Sequence, residues 1–446
     1  MSEWQIVVVL AVFGAVILAI AFDVIDMAVA ALLGVCVLIA LGILNDEDIA
    51  NAFGASSGPL SLLFGGMVVA RVLSTTGLFD LLGDVYLRAT AGSGKRFLLL
   101  LVAFVAPLCA FLPNATTVVL LAPIIVRVAR ALDIDVVEPM ILIAIVSNSA
   151  GLLTLVGDPA TFLVGSSIGM TFGAYLRQVS AAGILAIAIV VVLLPWLMRR
   201  VWNVRRALPG GAGTARIERP VYAGFALATL VVMVLLFIFG EDLPTRIVPP
   251  AVALIAGAVA LLVGYAAHAE PTESVLRDVD WKTLIFLASV FCLVQAVVKT
   301  GLLQLMAFQF YGVFGSRLTL VALTLIACIG LLSSLLANVP VAAASIVMIK
   351  GYLVIAEIVP ETAMSAHFSQ WPAPAIPVFV AMMFGATLGG NATLIGASAN
   401  IVAVGVCARE GSPVTFGRFL RYGLPITVCQ LGGAALYVLA LTHLSR

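Results

Sequence analysis

The chain has 446 residues, of which 63% are hydrophobic and 10% charged, with a net charge of +1 and a mean hydropathy of +1.20. A soluble domain carries about a quarter charged residues. Runs of roughly 20 apolar residues recur along the whole length, which excludes a soluble core and indicates a polytopic α-helical membrane protein. The six cysteines all lie in apolar segments without a CxxC pair, and the three histidines form no cluster. No metal cluster, phosphate loop, nucleotide fingerprint or nucleophile–base pair is visible. No cofactor is therefore expected, and an enzyme is not. ATP could drive such a protein only through a partner ATPase on another chain.

In chain order, the first apolar run (4–22) lacks a basic leader and a small-residue cleavage site, so it reads as a span rather than a signal peptide. Spans follow near 25–44 and 58–75, then an amphipathic connector (77–94) and an apolar stretch over 97–130. Pro113-Asn114 in that stretch predicts a tight turn, because Pro removes a donor and restricts its predecessor. The stretch is read as a re-entrant hairpin with Asn114 at its tip. A helix broken by Gly and polar residues (139–166) and a span near 179–198 complete a first repeat, 1–205. Residues 206–219 form a basic, Gly-rich linker. The second repeat, 220–446, has spans near 220–239, 247–267 and 282–300. A hairpin follows (317–357) with Asn338-Val339-Pro340 at its tip, then a broken helix (376–406) and a span near 422–443.

Two ungapped alignments relate the halves. Adding 224 maps Thr76 to Thr300, Gly77 to Gly301 and Asn114 to Asn338; adding 239 maps Gly151 to Gly390, Thr154 to Thr393 and Gly157 to Gly396. The offsets differ by the length of the loop between Pro360 and Pro374. Each half then has five spans, one re-entrant hairpin and one discontinuous helix. Five crossings invert the second copy, so the fold class is an all-α polytopic membrane protein of two inverted repeats. Of the 23 Lys and Arg, this arrangement puts sixteen on one side and six on the other, with Arg71 left within its span. The positive-inside rule makes the richer side cytoplasmic. Both termini are then extracytoplasmic, in a bacterial-type inner membrane, and the basic linker is a topology signal rather than a nucleic-acid patch.

Glycines, amides and hydroxyls at membrane depth free backbone groups that lipid cannot satisfy, so such segments line cavities or are buried in protein. A matched pair in two halves marks a carrier's binding site. The predicted site comprises Asn114, Thr116 and Thr117 on the first hairpin and Asn148, Thr154, Gly157 and Asp158 on the first broken helix. From the second half come Asn338, Gly390, Asn391, Thr393, Gly396, Ser398 and Asn400. These oxygen-rich groups suit a Na⁺ ion, and half-helix N-termini suit an anion or polar solute. Asp158 is the only acid in either motif and faces Ala397 in the second copy. An intramembrane carboxylate is a candidate proton or cation carrier; the competing role is capping the helix that starts at Pro159. Neither motif holds a Lys or Arg, which favours a cation, a neutral hydroxylated solute or an anion held by amides. Cys109 could add a soft ligand.

Ala110-Phe111-Leu112-Pro113-Asn114-Ala115-Thr116-Thr117, Leu153-Thr154-Leu155-Val156-Gly157-Asp158-Pro159 and the segment Leu388 to Asn400 resemble the ion transporter superfamily, within it the arsenite permease and P-protein branch. Asp280-Trp281-Lys282-Thr283-Leu284 resembles that branch's entry to its later half. The resemblance implies a scaffold-plus-transport-domain fold, often dimeric, carrying arsenite or antimonite, silicic acid, Na⁺ against H⁺, or dicarboxylates with Na⁺. Pro113 stands where many members carry Asp, and complete Ser-Asn-Thr triplets are missing; both departures lean toward the arsenite-like members. The expectation is a secondary active transporter exporting a small inorganic solute of the arsenite type against protons exchanged at Asp158. The alternatives are a Na⁺-coupled di- or tricarboxylate symporter, a Na⁺/H⁺ antiporter or silicic acid exporter, and a passive channel.

Overall fold

In lipid every backbone group must be satisfied within the segment, and this composition meets that condition with helices. The computed structural model describes residues 3–21, 24–206, 217, 219–365 and 368–444. Most of the basic linker, with Arg216, lies outside the described residues, as do His367 and Arg446. The first half contains α1 (Glu3–Ala21), α2 (Met27–Ala40), α3 (Asp46–Ser74), α4 (Leu78–Thr90), α5 (Gly94–Cys109) and α6 (Asn114–Ala131). It continues with α7 (Val137–Ala150), α8 (Pro159–Ser167), α9 (Phe172–Gln178), α10 (Ser180–Leu197) and α11 (Arg199–Trp202). The second half contains α12 (Pro220–Phe239), α13 (Pro249–Ala266), α14 (Thr272–Arg277), α15 (Trp281–Lys299) and α16 (Leu302–Phe314). After these come α17 (Leu318–Leu335), α18 (Asn338–Ile355), α19 (Ile376–Gly389), α20 (Ser398–Arg409) and α21 (Phe416–Leu444). Among the described residues, 10 helices are long and apolar enough to cross a membrane. They include α6, α17 and α18, which the sequence reading places in hairpins.

The local geometry repeats in the register of the two offsets. Gly77 and Gly301 precede α4 and α16 in left-handed conformations, φ 74° and 77°, which only glycine adopts without strain. Both broken helices stop at a Gly and restart after a short stretch of turns, α7 to α8 and α19 to α20. Thr154 donates its hydroxyl hydrogen bond to the Ala110 carbonyl, and Thr393 donates to the Ser334 carbonyl. Ala110 caps the end of α5 and Ser334 lies in the last turn of α17, so each break is tied to the helix end that precedes Asn114 or Asn338. Thr154→Val and Thr393→Val keep the shape and orphan one buried carbonyl, a cost of about 1–3 kcal/mol each. Thermal unfolding of the solubilised protein should show both variants destabilised; unchanged midpoints would remove these hydroxyls as anchors.

Ion pairs join residues that the charge count puts on one side. Arg130 pairs with Glu410, Arg206 with Asp133 at 2.7 Å, Arg418 with Asp135 at 2.5 Å and Lys282 with Asp26 at 2.5 Å. Arg71, left inside its span by the sequence reading, instead ends α3 in ion pairs with Glu270 at 2.9 Å and Asp278 at 2.8 Å. Its partners lie about 200 residues away along the chain, beyond the reach of local pattern. At the other end, Lys299 pairs with Asp48 at 2.6 Å, and Ser369 in the inserted loop packs on Gly169.

Candidate functional site

Asp158 occupies the break between α7 and α8 in an extended conformation, with Pro159 opening α8 behind it. Proline lacks the N–H that a first-turn position would leave orphaned, and Asp is a preferred cap, so this dipeptide restarts a helix. The Asp158 Oδ2 accepts from the Ala160 N–H at 3.1 Å, the Thr161 N–H at 3.2 Å and the Thr387 hydroxyl at 3.2 Å. Its Oδ1 accepts from Asn338 Nδ2 at 3.0 Å and Asn114 Nδ2 at 3.5 Å. Thus one buried carboxylate caps α8 and also joins the first residues of α6 and α18. The capping role and the junction role coexist, because each uses a different oxygen.

Two further contacts flank the junction. Asn148 Nδ2 donates to Asn400 Oδ1 at 3.1 Å, and the Thr161 and Thr387 hydroxyls lie 3.1 Å apart. Under the 239 offset Asn148 corresponds to Thr387 and Thr161 to Asn400, so the two contacts are equivalents of each other. Asn400 also donates to the carbonyls of Gly390 at 2.8 Å and Thr393 at 2.7 Å, satisfying backbone freed at the second break. Gly157 and Gly396 are obligatory for a related reason. A Cβ at Gly157 would lie 2.8 Å from the Gly151 carbonyl, and one at Gly396 would lie 2.6 Å from that of Gly390.

A cavity of about 1080 Å³ opens beside this junction. Asn114, Asn148, Asp158, Asn338 and Ser398 line its polar end, while α1, α15, α16 and α17 supply Leu, Ile, Val, Phe and Met walls. Lys282, paired with Asp26, is the single Lys or Arg among its described lining residues. Asn114 Oδ1 is buried there with no hydrogen-bond partner. Other predicted residues do not reach the cavity. Thr154 and Thr393 bond the carbonyls of Ala110 and Ser334, Thr116 is half-buried off the wall, and Thr117 is fully buried beside the equally buried Cys109. Asn391 turns the other way: its Nδ2 donates to Ser149 Oγ at 3.1 Å and Gln430 Oε1 at 2.9 Å. Gln430 in turn donates to Ser149 Oγ at 2.8 Å and the Ala186 carbonyl at 3.0 Å, bracing α21 against α7 and α10.

Sequence reasoning missed Thr387 and Gln430. Thr387 had a signal, since the same offset that paired the glycines sets it opposite Asn148. Gln430 had a weaker one, a lone amide in the last apolar span.

Residues 17–371 match the family CitMHS, described as a citrate transporter. A transporter of Synechocystis sp. is 42% identical over 432 residues, covering 96% of each chain. A transporter of Mycobacterium tuberculosis is 29% identical over 438 residues, covering 97% of each. The human P protein is 26% identical over 518 aligned residues that cover 98% of this chain and 60% of that one. Among solved structures, the YdaH transporter of Alcanivorax borkumensis superposes with a TM-score of 0.56 at 15% identity, covering 87% of this chain and 86% of that one, a likeness of fold.

Proposed function

Because the chain belongs to the citrate transporter family of secondary membrane transporters, we propose that it moves its solute past the Asp158 junction by alternating access, with Asp158 carrying the exchanged proton. The observation that carries this reading is a buried carboxylate held by five hydrogen-bond donors and by no Lys or Arg among the described residues. Intramembrane acids of this kind mark proton relays and ion pathways. Both hairpin arms and the α8 cap meet on that one group, so a change in its charge is felt by three elements at once.

The same junction sets the charge of the solute. A multiply charged anion would meet Asp158 without a guanidinium or ammonium partner beyond the already paired Lys282. A neutral hydroxylated solute such as arsenous acid meets no such penalty, and its export against protons is the reading we favour. The two sets of equivalent contacts support two inverted copies, and the ion pairs of Arg130, Arg206, Arg418 and Lys282 support gathering these residues on the side that the Lys and Arg count makes cytoplasmic, with both termini outside. The family's description favours one further reading, carboxylate symport, in which a Na⁺ travelling with the anion would offset Asp158.

Purified protein in proteoliposomes separates these readings. Arsenite should accumulate against its gradient when only a pH difference is imposed. Citrate uptake driven by Na⁺ and indifferent to pH would establish the symport instead, and equilibration without accumulation would mean a channel.

A further inference from the structure

The cavity is larger and more apolar than a solute of a few atoms bound at its polar end requires. Ligand pockets occupy about 300–1,000 Å³, and this one reaches about 1080 Å³. A four-atom hydroxylated acid, each atom taking up to a water's share of roughly 30 Å³, fills about a tenth of it. The remaining walls are side chains such as Phe13, Phe286, Met306 and Leu332, which bind apolar groups and hold water poorly. The polar end is equally specific. The acids lining the cavity are Asp26 and Asp158 against one basic residue, Lys282, which is bound to Asp26, so an ionised Asp158 leaves one negative charge in excess. Beside it the Asn114 Oδ1 is a second acceptor, buried and without a donor.

We propose that this cavity binds an amphipathic organic amine, its apolar body along the α1, α15, α16 and α17 walls and its N–H-bearing head at Asp158 and Asn114. The assignment rests on the reading that solutes bind at the Asp158 end, and it adds a class of ligand to that end. A protonated amine supplies the positive charge that Asp158, held only by neutral donors, lacks, and a donor for the unpartnered Asn114 Oδ1; charge-assisted hydrogen bonds of this kind are about twice as strong as neutral ones. The ligand is a free solute arriving from the membrane or the aqueous phase. A lipid headgroup amine offers the same chemistry and is the competing source.

A native thiol reports on occupancy. Cys328 lines the cavity on α17, about 10 Å from the tip end of that helix. With Cys36→Ser and Cys429→Ser in place, Cys328 is the one exposed cysteine. The full chain in phosphatidylcholine nanodiscs is alkylated with N-ethylmaleimide at neutral pH, with decylamine or decanoate as protectant. Decylamine should slow Cys328 labelling by about tenfold or more, decanoate at equal concentration should not, and Asp158→Asn should erase the difference. Asn114→Leu provides the same arm if Asp158→Asn elutes poorly, and Ala344→Trp, which fills the wall, should abolish protection by decylamine. Equal protection by amine and carboxylate, or protection that survives both head-end variants, overturns the proposal. So does slow labelling in phosphatidylethanolamine nanodiscs without added amine, which would give the site to lipid. Proton-driven arsenite transport alongside an unprotected Cys328 sinks this inference alone, whereas loss of both sinks the proposed function as well.

Discussion

Asp158→Asn should reduce proton-driven transport by about 100-fold and flatten its dependence on pH, while the protein still folds and inserts. The reason lies in the division of labour between the two carboxylate oxygens. Oδ2 caps α8 through the Ala160 and Thr161 N–H groups, and Asn caps a helix about as well as Asp, so the amide oxygen can keep that contact. The amide nitrogen must then stand where Oδ1 stood, facing the Asn338 and Asn114 amide donors. Donor meets donor, and two hydrogen bonds to a charged acceptor, each about 1.5–3 kcal/mol, are lost together with the titrating group. Asp158→Ala differs in kind, since it also removes the cap, at about 1–2 kcal/mol. Transport assays across a pH series separate the roles: an Asn variant with wild-type rate and pH profile would reduce Asp158 to a cap.

Gly396→Val should have the other large effect, loss of the folded protein rather than of its chemistry. A Cβ at this position comes within 2.6 Å of the Gly390 carbonyl oxygen and 2.9 Å of the Gly390 Cα. Those are backbone atoms of the same broken helix, held in turn by Asn400, so neither side can yield cheaply. Inserting even one methylene into a packed core costs about 1–3 kcal/mol when side chains can adjust, and here they cannot. Gly405 lies further along, in α20, with nothing within 4 Å of where a Cβ would stand, so Gly405→Ala is the control. It should gain up to about 1 kcal/mol of helix propensity. Size-exclusion profiles and melting curves of the two variants decide the matter; a monodisperse, wild-type-stable Gly396→Val would mean that the break does not need this contact.

Much of the frame was legible because it depends on residue types with few uses. Glycine at a left-handed helix start (Gly77, Gly301) and at a backbone crossing (Gly157, Gly396) must recur if the geometry recurs, so counting offsets found it. The turns between α5 and α6 and between α17 and α18 were legible through Pro113 and Pro340 for the same reason. What escaped was direction. Asn391 and Asn114 looked alike as isolated amides, yet Asn391, in the break after α19, turns toward Gln430, and Asn114, at the start of α6, lies at the cavity. That direction depends on packing between distant helices, and α21 packs against α19 through contacts that no local pattern records. Cys109 misled for a similar reason, being near Asn114 in sequence but fully buried, whereas Cys328 faces the cavity from another helix.

The contacts Asn148–Asn400 and Thr161–Thr387 are one contact written twice, and each takes one residue from either half. One rung is amide to amide and the other hydroxyl to hydroxyl, so each pairs like with like. A chimera that takes only one half from a diverged relative inherits half of each rung. An exchange of both residues of a rung keeps the match, so the unit of inheritance at this centre is the rung and not the repeat.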